Sequence, residues 1–144
     1  MKNRVLYVSK ENGSAKRVAD SIAAGIAQAA SSIEKHTAVL DVGLLFIGCE
    51  VNEAGAIKGG IRKILNKITS EQVKMVVGFA TSSSGTGSPK AAMKAILDPK
   101  GIKYLDEEFL CKGKTAFGNR NCPTEQDLKN AKDFSSKIGN SYRF

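Results

Sequence analysis

The sequence predicts a single α/β domain, spanning residues 1–144, in which helices cover a parallel sheet. Three observations carry that expectation. Apolar stretches of strand length alternate with stretches whose apolar residues recur at helical spacing, the pattern of successive βα units. The central run, Val42 Gly43 Leu44 Leu45 Phe46 Ile47 Gly48, has no polar side chain on either alternating face, as a strand covered on both sides must. Finally, 144 residues with 42% hydrophobic content supply one ordinary core and not two.

The elements follow in order. The first strand is expected at Val5 Leu6 Tyr7 Val8. A loop with Asn12, Gly13 and Ser14 follows, after which Val18, Ile22 and Ile26, backed by Ala19, Ala23 and Ala30, recur at helical spacing; this amphipathic helix starts near Ser14 or Ala15. Only residues 31–40 separate it from the central strand, so an edge strand there must be short, and residues 33–36 are the candidate. Beyond the central strand, residues 49–56 form a turn-rich loop, and Ile57, Ile61, Ile64, Leu65 and Ile68 form a second helical stripe. Gly59 and Gly60 near its start each cost about 1 kcal/mol relative to alanine. Residues 74–79 read as another buried strand centred on Met75 Val76 Val77, and residues 80–88, built only of Ala, Thr, Ser and Gly, as a loop.

Ser88 before Pro89 is an N-cap with proline at the first helical position, opening a helix through Met93, Ile96 and Leu97 that Asp98 Pro99 Lys100 Gly101 stops. For the last strand, residues 102–105 and 108–111 are both candidates, parted by Asp106 and Glu107; the strand is placed over the second, with a bend before it. Residues 112–122 form a long loop. A final helix starts at Pro123 Thr124 Glu125, carries Leu128, Ala131, Phe134 or Ser135, and Ile138, and ends at Gly139. Thr124 with Asp127 three residues on forms a capping-box variant.

Composition narrows the function classes. A formal charge of +8 attracts phosphates, anionic cofactors or acidic proteins. The lysines are spread from Lys2 to Lys137, with no basic run longer than the pairs Lys16 Arg17 and Arg62 Lys63, which reads as a solvated basic surface and not a nucleic-acid face. No stretch of eighteen apolar residues exists, and Met1 Lys2 Asn3 Arg4 leads into only four apolar residues, so neither a membrane span nor a secretory signal is expected. Cys49, Cys111 and Cys122 form an odd set without a CxxC pair, and one histidine, His36, leaves no tetrahedral zinc set; reduced thiols in a cytoplasmic protein are expected. No arginine stands six residues after any cysteine, which excludes the simplest Cys-x5-Arg phosphatase. Ser9 and Lys10 stand where a phosphoacceptor receiver domain needs an acidic metal-binding pair.

In an open parallel sheet, ligands bind beyond the carboxyl ends of the strands, where strand order reverses. Three loops at such ends have unusual composition: residues 9–15, 49–56 and 80–88. The first is rich in hydroxyl, amide and glycine groups, so its backbone N–H groups and the helix start can hold a phosphate. Ser9, Asn12 and Ser14 offer side-chain hydrogen bonds, Gly13 permits close backbone approach, and Lys10, Lys16 and Arg17 add positive charge. An ordinary βα turn whose Ser and Asn cap the helix accounts for these residues equally well. Glu11 favours that second reading, since a carboxylate beside a phosphate lowers affinity.

Over nearly its whole length the chain resembles the flavodoxin family. Arg4 to Val8 is similar to the family's first strand, Asn12 Gly13 Ser14 Ala15 stands at its T-G-N-T phosphate loop, and Lys16 Arg17 Val18 Ala19 at the helix that follows. Leu44 Leu45 Phe46 Ile47 Gly48 and Cys49 resemble its central strand and isoalloxazine loop, and Val76 Val77 Gly78 Phe79 Ala80 Thr81 the strand leading into its third loop. The most distinctive match is to the tail of a bacterial group of such domains: Phe109 Leu110 Cys111 Lys112 Gly113 Lys114, Asn119 Arg120, and Pro123 Thr124 Glu125 Gln126 Asp127 Leu128.

The resemblance implies a flavodoxin-like three-layer sandwich around a five-stranded parallel sheet in order 2-1-3-4-5, with the second strand short or absent, and FMN as cofactor. Its implied site is Ser9, Lys10, Asn12, Gly13, Ser14 and Ala15 at the phosphate; Cys49, Glu50, Val51 and Asn52 near the reactive flavin nitrogen; and Ala80, Thr81, Ser82, Ser83, Ser84 and Gly87 at the pyrimidine edge. A redox electron-transfer protein is implied, more an electron carrier than a substrate-specific enzyme. No acid, base or nucleophile of its own is then required, because the cofactor supplies the chemistry. Flavin and an unidentified, acidic redox partner are the implied partners, without membrane or nucleic acid. Two alternatives stay open. Neither ring-facing loop contains an aromatic to stack on a flavin, and with Glu11 and Ala15 this permits a binding or regulatory module that has lost the flavin. The +8 charge permits a binder of nucleic acid or of an acidic partner.

Overall fold

The structure is a computed structural model and describes residues 1–33 and 41–144. Its elements run β1 (Lys2–Val8), α1 (Ser14–Gly25), β2 (Ala30–Ser32), β3 (Val42–Glu50), α2 (Gly59–Lys67), β4 (Val73–Ser82), α3 (Lys90–Leu97), a 3-10 turn (Asp98–Lys100), β5 (Lys103–Tyr104), β6 (Phe109–Lys112) and α4 (Glu125–Ser141). All strand pairs are parallel, in the order β2-β1-β3-β4-β5, and β6 also pairs with β4. The order 2-1-3-4-5 and the very short second strand are as the sequence resemblance implies.

Helices cover both faces. On one, Val18 and Ile22 of α1 and Ala131 and Ile138 of α4 pack on Val5, Leu44, Phe46, Val77 and Phe79. On the other, Ile61 and Leu65 of α2 and Met93 and Leu97 of α3 pack on Leu6, Leu45, Ile47 and Val76. Alternate residues of β3 thus enter opposite cores, which is why its run from Val42 to Cys49 is buried without interruption.

Several boundaries differ from the sequence expectation, each for a local reason. The edge strand forms at Ala30–Ser32, earlier than residues 33–36, because Ala27 takes a left-handed φ of 54° and returns the chain at once to pair Ala30 with Val5. Residues 34–36 lie outside the described residues. Both candidates for the last strand are used: Lys103 and Tyr104 pair with Met75 and Val76, then Phe109 to Lys112 pair with Phe79 to Ser82. Between them Glu108 leaves the ladder and accepts hydrogen bonds from the Tyr104 hydroxyl (2.7 Å) and from Ser88. Burial, with the Glu108 carboxylate beside it, pushes the Tyr104 hydroxyl well above its ordinary range.

The last helix continues past Gly139 to Ser141, since Gly139 keeps a negative φ and the Tyr142 N–H still reaches the Ile138 carbonyl at 3.0 Å. Its start is as expected, with both halves of the Thr124–Asp127 capping box present. The third helix begins at Lys90, and Ser88 Oγ accepts the Lys90 N–H at 3.2 Å.

Candidate functional site

Strand order reverses between β1 and β3: from β1 the chain goes to β2 on one side and then to β3 on the other. The cleft that this leaves at the carboxyl ends is where an open α/β sheet takes its ligands. Here it is bordered by the β1–α1 loop, the end of β3, and the long loop after β6. Together they line a cavity of about 610 Å³ with Lys10, Glu11, Asn12, Gly13, Ser14, Arg17, Glu50, Lys58, Lys114, Thr115, Ala116, Arg120 and Cys122 in its wall. That volume falls within the usual range of small-molecule sites. Five of the lining side chains are basic and two are acidic, so the cavity favours anions.

The first loop is compact. The Gly13 N–H donates to the Lys10 carbonyl at 2.8 Å, and the left-handed φ of the turn falls on Asn12 (58°), a residue type that tolerates it. Gly13 is required for space: a Cβ there would stand 2.2 Å from Ser9 Oγ and 2.8 Å from the Lys10 carbonyl oxygen. The start of α1 receives no side-chain cap from its own loop. Its cap comes from β3, where the Glu50 carboxylate accepts the Ala15 N–H and the Ser9 hydroxyl, each at 2.8 Å and both on the same oxygen. The Ser14 hydroxyl accepts the Lys114 N–H at 2.9 Å, and Arg17 donates to the Pro123 carbonyl at 3.3 Å, which fixes the last loop against α1. Lys16 pairs along the helix with Asp20 at 2.9 Å, and this raises its pKa.

The other two sequence-selected loops meet each other. Glu53 accepts hydrogen bonds from the Ser83 hydroxyl (2.8 Å), the Ser84 N–H (3.1 Å) and the Ser84 hydroxyl. Those bonds, Ser84 first and then Ser83, hold the exposed Glu53 carboxyl below its ordinary pKa. Ser82 Oγ accepts the Gly85 and Gly87 N–H groups, each at 3.1 Å, and shapes the third loop. Asn119 of the last loop donates to the Ser83 carbonyl at 2.8 Å and the Gly113 carbonyl at 3.1 Å.

Compared by sequence, the chain matches no protein-family model and no curated protein. Compared by structure, it is similar to a flavodoxin from the domain Archaea, with 17% identity, a TM-score of 0.70 and 98% of each chain covered. It is similar also to a Fusobacterium nucleatum flavodoxin bound to flavin mononucleotide, with 12% identity, a TM-score of 0.67, and 99% of this chain and 100% of that one covered. Oxidised flavodoxin 2 from Bacillus cereus aligns at 14% identity and a TM-score of 0.66, covering 98% and 99% of the two chains. The fold is flavodoxin-like.

Within this flavodoxin-like chain the sequence-selected residues divide into three groups. Lys10, Asn12, Gly13, Ser14 and Glu50 line the cavity, with Ser9 and Ala15 joined to it through Glu50. Cys49, Val51, Ala80, Thr81, Ser82 and Gly87 are buried in or beneath the rim, and Cys49 faces the core under α2 and α3, where burial raises its pKa. Asn52, Ser83 and Ser84 are exposed where the second and third loops meet. The structure adds Arg17, Lys58, Lys114, Thr115, Arg120 and Cys122 to the cavity wall. Most of these stand on the loop after β6, which also leaves the carboxyl end of a strand. Applying that rule to all the strands points to this loop from sequence. Among the described residues no group of His, Cys, Asp and Glu is arranged to hold a metal, and no helix is long and apolar enough to cross a membrane.

Proposed function

We propose that the chain binds FMN at this cavity and acts as a cytoplasmic electron carrier. The observation that carries the reading is a basic cavity at the strand-order reversal, walled on one side by a hydroxyl- and amide-rich loop that opens a helix. A phosphate at a helix N-terminus is stabilised by the free N–H groups and by the helix dipole. Ser9, Asn12, Gly13, Ser14 and Ala15 would hold the phosphate, with Lys10, Arg17, Lys58, Lys114 and Arg120 supplying the surrounding charge. The donor set fits such a group. So does the Thr81 hydroxyl, a buried polar side-chain atom without a partner among the described residues.

Bound FMN would supply one- and two-electron chemistry, and the residues of the second and third loops would orient its ring and limit its contact with water. Phe117, fully exposed and next to Ala116 of the cavity wall, is an aromatic face available for stacking. The likeness to a flavodoxin bound to flavin mononucleotide supports the choice of ligand. The excess of basic side chains favours an acidic redox partner.

A second reading, a binding module without flavin, is favoured by the bonds that Ser83 and Ser84 donate to Glu53, which tie the second loop to the third. Reconstitution with excess FMN followed by visible absorbance separates the two. A saturable change in the FMN visible spectrum at equilibrium with the protein supports the carrier, and no change in added FMN overturns it.

A further inference from the structure

We propose that Glu50 is a built-in surrogate for the ligand's phosphate: its carboxylate holds the anion position at the start of α1, and an entering phosphate must displace it. The inference rests on the flavin reading for the identity of the entering group, but its chemistry can be tested without a flavin.

The placement follows from strand periodicity. Leu44 and Phe46 of β3 pack on the α1 side of the sheet, and the two-residue period carries Glu50, the last residue of the strand, to that same side. There the strand end meets the start of α1, whose first turn contains no acidic residue and whose N-cap is Gly13 without a side-chain bond. One Glu50 oxygen takes both the Ala15 N–H and the Ser9 hydroxyl at 2.8 Å. These are charge-assisted bonds from a helix-start amide and a loop hydroxyl, the donors that a phosphate oxygen would use.

Two independent features mark the position as one for a larger anion. Glu50 stands in the wall of a cavity with five basic side chains, yet among the described residues no ion pair joins it to any of them. In the neighbouring strand, Thr81 occupies the register position beside Glu50, and its buried hydroxyl has no partner among the described residues. A carboxylate thus satisfies two donors at a place where charge and a further hydroxyl remain unused. Glu50 keeps the helix start capped, and it makes phosphate binding a competition that lowers affinity and favours release. An exchangeable flavin is the functional consequence.

The test compares wild type with Glu50→Ala and Glu50→Gln, using inorganic phosphate as the probe. In chloride, Glu50→Ala should melt below wild type. In phosphate at matched ionic strength it should recover most of that deficit, beyond the general stabilisation that phosphate gives any protein by exclusion from its surface, which wild type measures. Glu50→Gln keeps the shape and a neutral acceptor, so it serves if the alanine variant does not fold. It should show a larger phosphate response than wild type and bind FMN about tenfold more tightly, with riboflavin binding unchanged. Equal phosphate responses in all three proteins would overturn the proposal. FMN affinity that is equal in wild type and Glu50→Gln also overturns it, while leaving the flavin reading standing. Phosphate rescue in a protein that binds no FMN supports the anion position and refutes the flavin reading.

Discussion

Two carboxylates at the carboxyl edge of the sheet do opposite things. Glu50, half-buried, caps a helix start on the wall of an open, basic cavity. Glu53, three residues on and exposed, bridges the second and third loops through Ser83 and Ser84. The first region has donors and charge beyond what the protein itself uses, whereas the second satisfies its polar groups internally. In a site for a ligand with an anionic end and a ring, charge recognition would therefore be built in at the cavity, and the ring-side loops would have to open.

The largest effect expected from this contrast is at Gly13. Gly13→Val places a side chain against Ser9 and the Lys10 carbonyl, and should destabilise the loop by about 1–3 kcal/mol, the usual range for overpacking. FMN affinity, followed by fluorescence titration, should fall at least about a hundredfold with it. Glu11→Gln in the same loop should change affinity less than about threefold, since it removes only an exposed charge. Equal effects of the two would remove the first loop from the site.

Next come Lys114→Ala and Arg120→Ala, each expected to weaken FMN binding by about tenfold at low salt and less as ionic strength rises. Lys63→Ala on the exposed face of α2 should leave binding unchanged. A matching loss at Lys63 would show that only the overall charge matters.

Glu53→Gln should loosen the junction of the second and third loops, with the Ser84 amide exchanging about tenfold faster at pH 7. Because the folded-state pKa of Glu53 is depressed, its contribution is present above the ordinary carboxylate range and is lost as pH falls through the folded value. The difference between wild type and Glu53→Gln should therefore shrink as pH falls below the ordinary carboxylate range and vanish once the folded-state carboxyl is protonated. A difference that persists at lower pH would show that the bonds do not depend on the charge.

The smallest effect concerns the thiols. Cys122, half-buried in the cavity wall, should alkylate first, whereas buried Cys49 and Cys111 should react only on unfolding. Burial pushes the Cys111 thiol up to about 12, so it also lacks the reactive thiolate at neutral pH. FMN should slow labelling of Cys122; labelling at an unchanged rate would place the ligand away from this wall.

Much of the fold was legible because periodicity reports burial directly. The unbroken apolar run at β3, the stripe of α1 and the Thr124–Asp127 cap each express a local rule. The edge strand and the last strand were displaced because their positions are set by partners: β2 by its register with Val5, and the β5–β6 pair by β4 and by the Glu108 break. The first loop was found from its composition, but its capping was not. Ser9 and Ser14 look like local caps, while the group that caps α1 is Glu50, which is 35 residues away from Ala15 in sequence and reaches it only through the β1–β3 pairing. Lys114 and Arg120 reach the cavity through the bond from the Lys114 N–H to Ser14 and the two bonds from Asn119, which no spacing rule encodes.

The most direct test of the central claim is an amide NMR titration of the wild-type protein with FMN. Binding at the proposed site should shift the Gly13, Ala15 and Lys114 amides together and saturably, and riboflavin, which lacks the phosphate, should leave the Gly13 and Ala15 amides nearly unmoved. Shifts confined to other parts of the molecule, or none at all, would contradict the account.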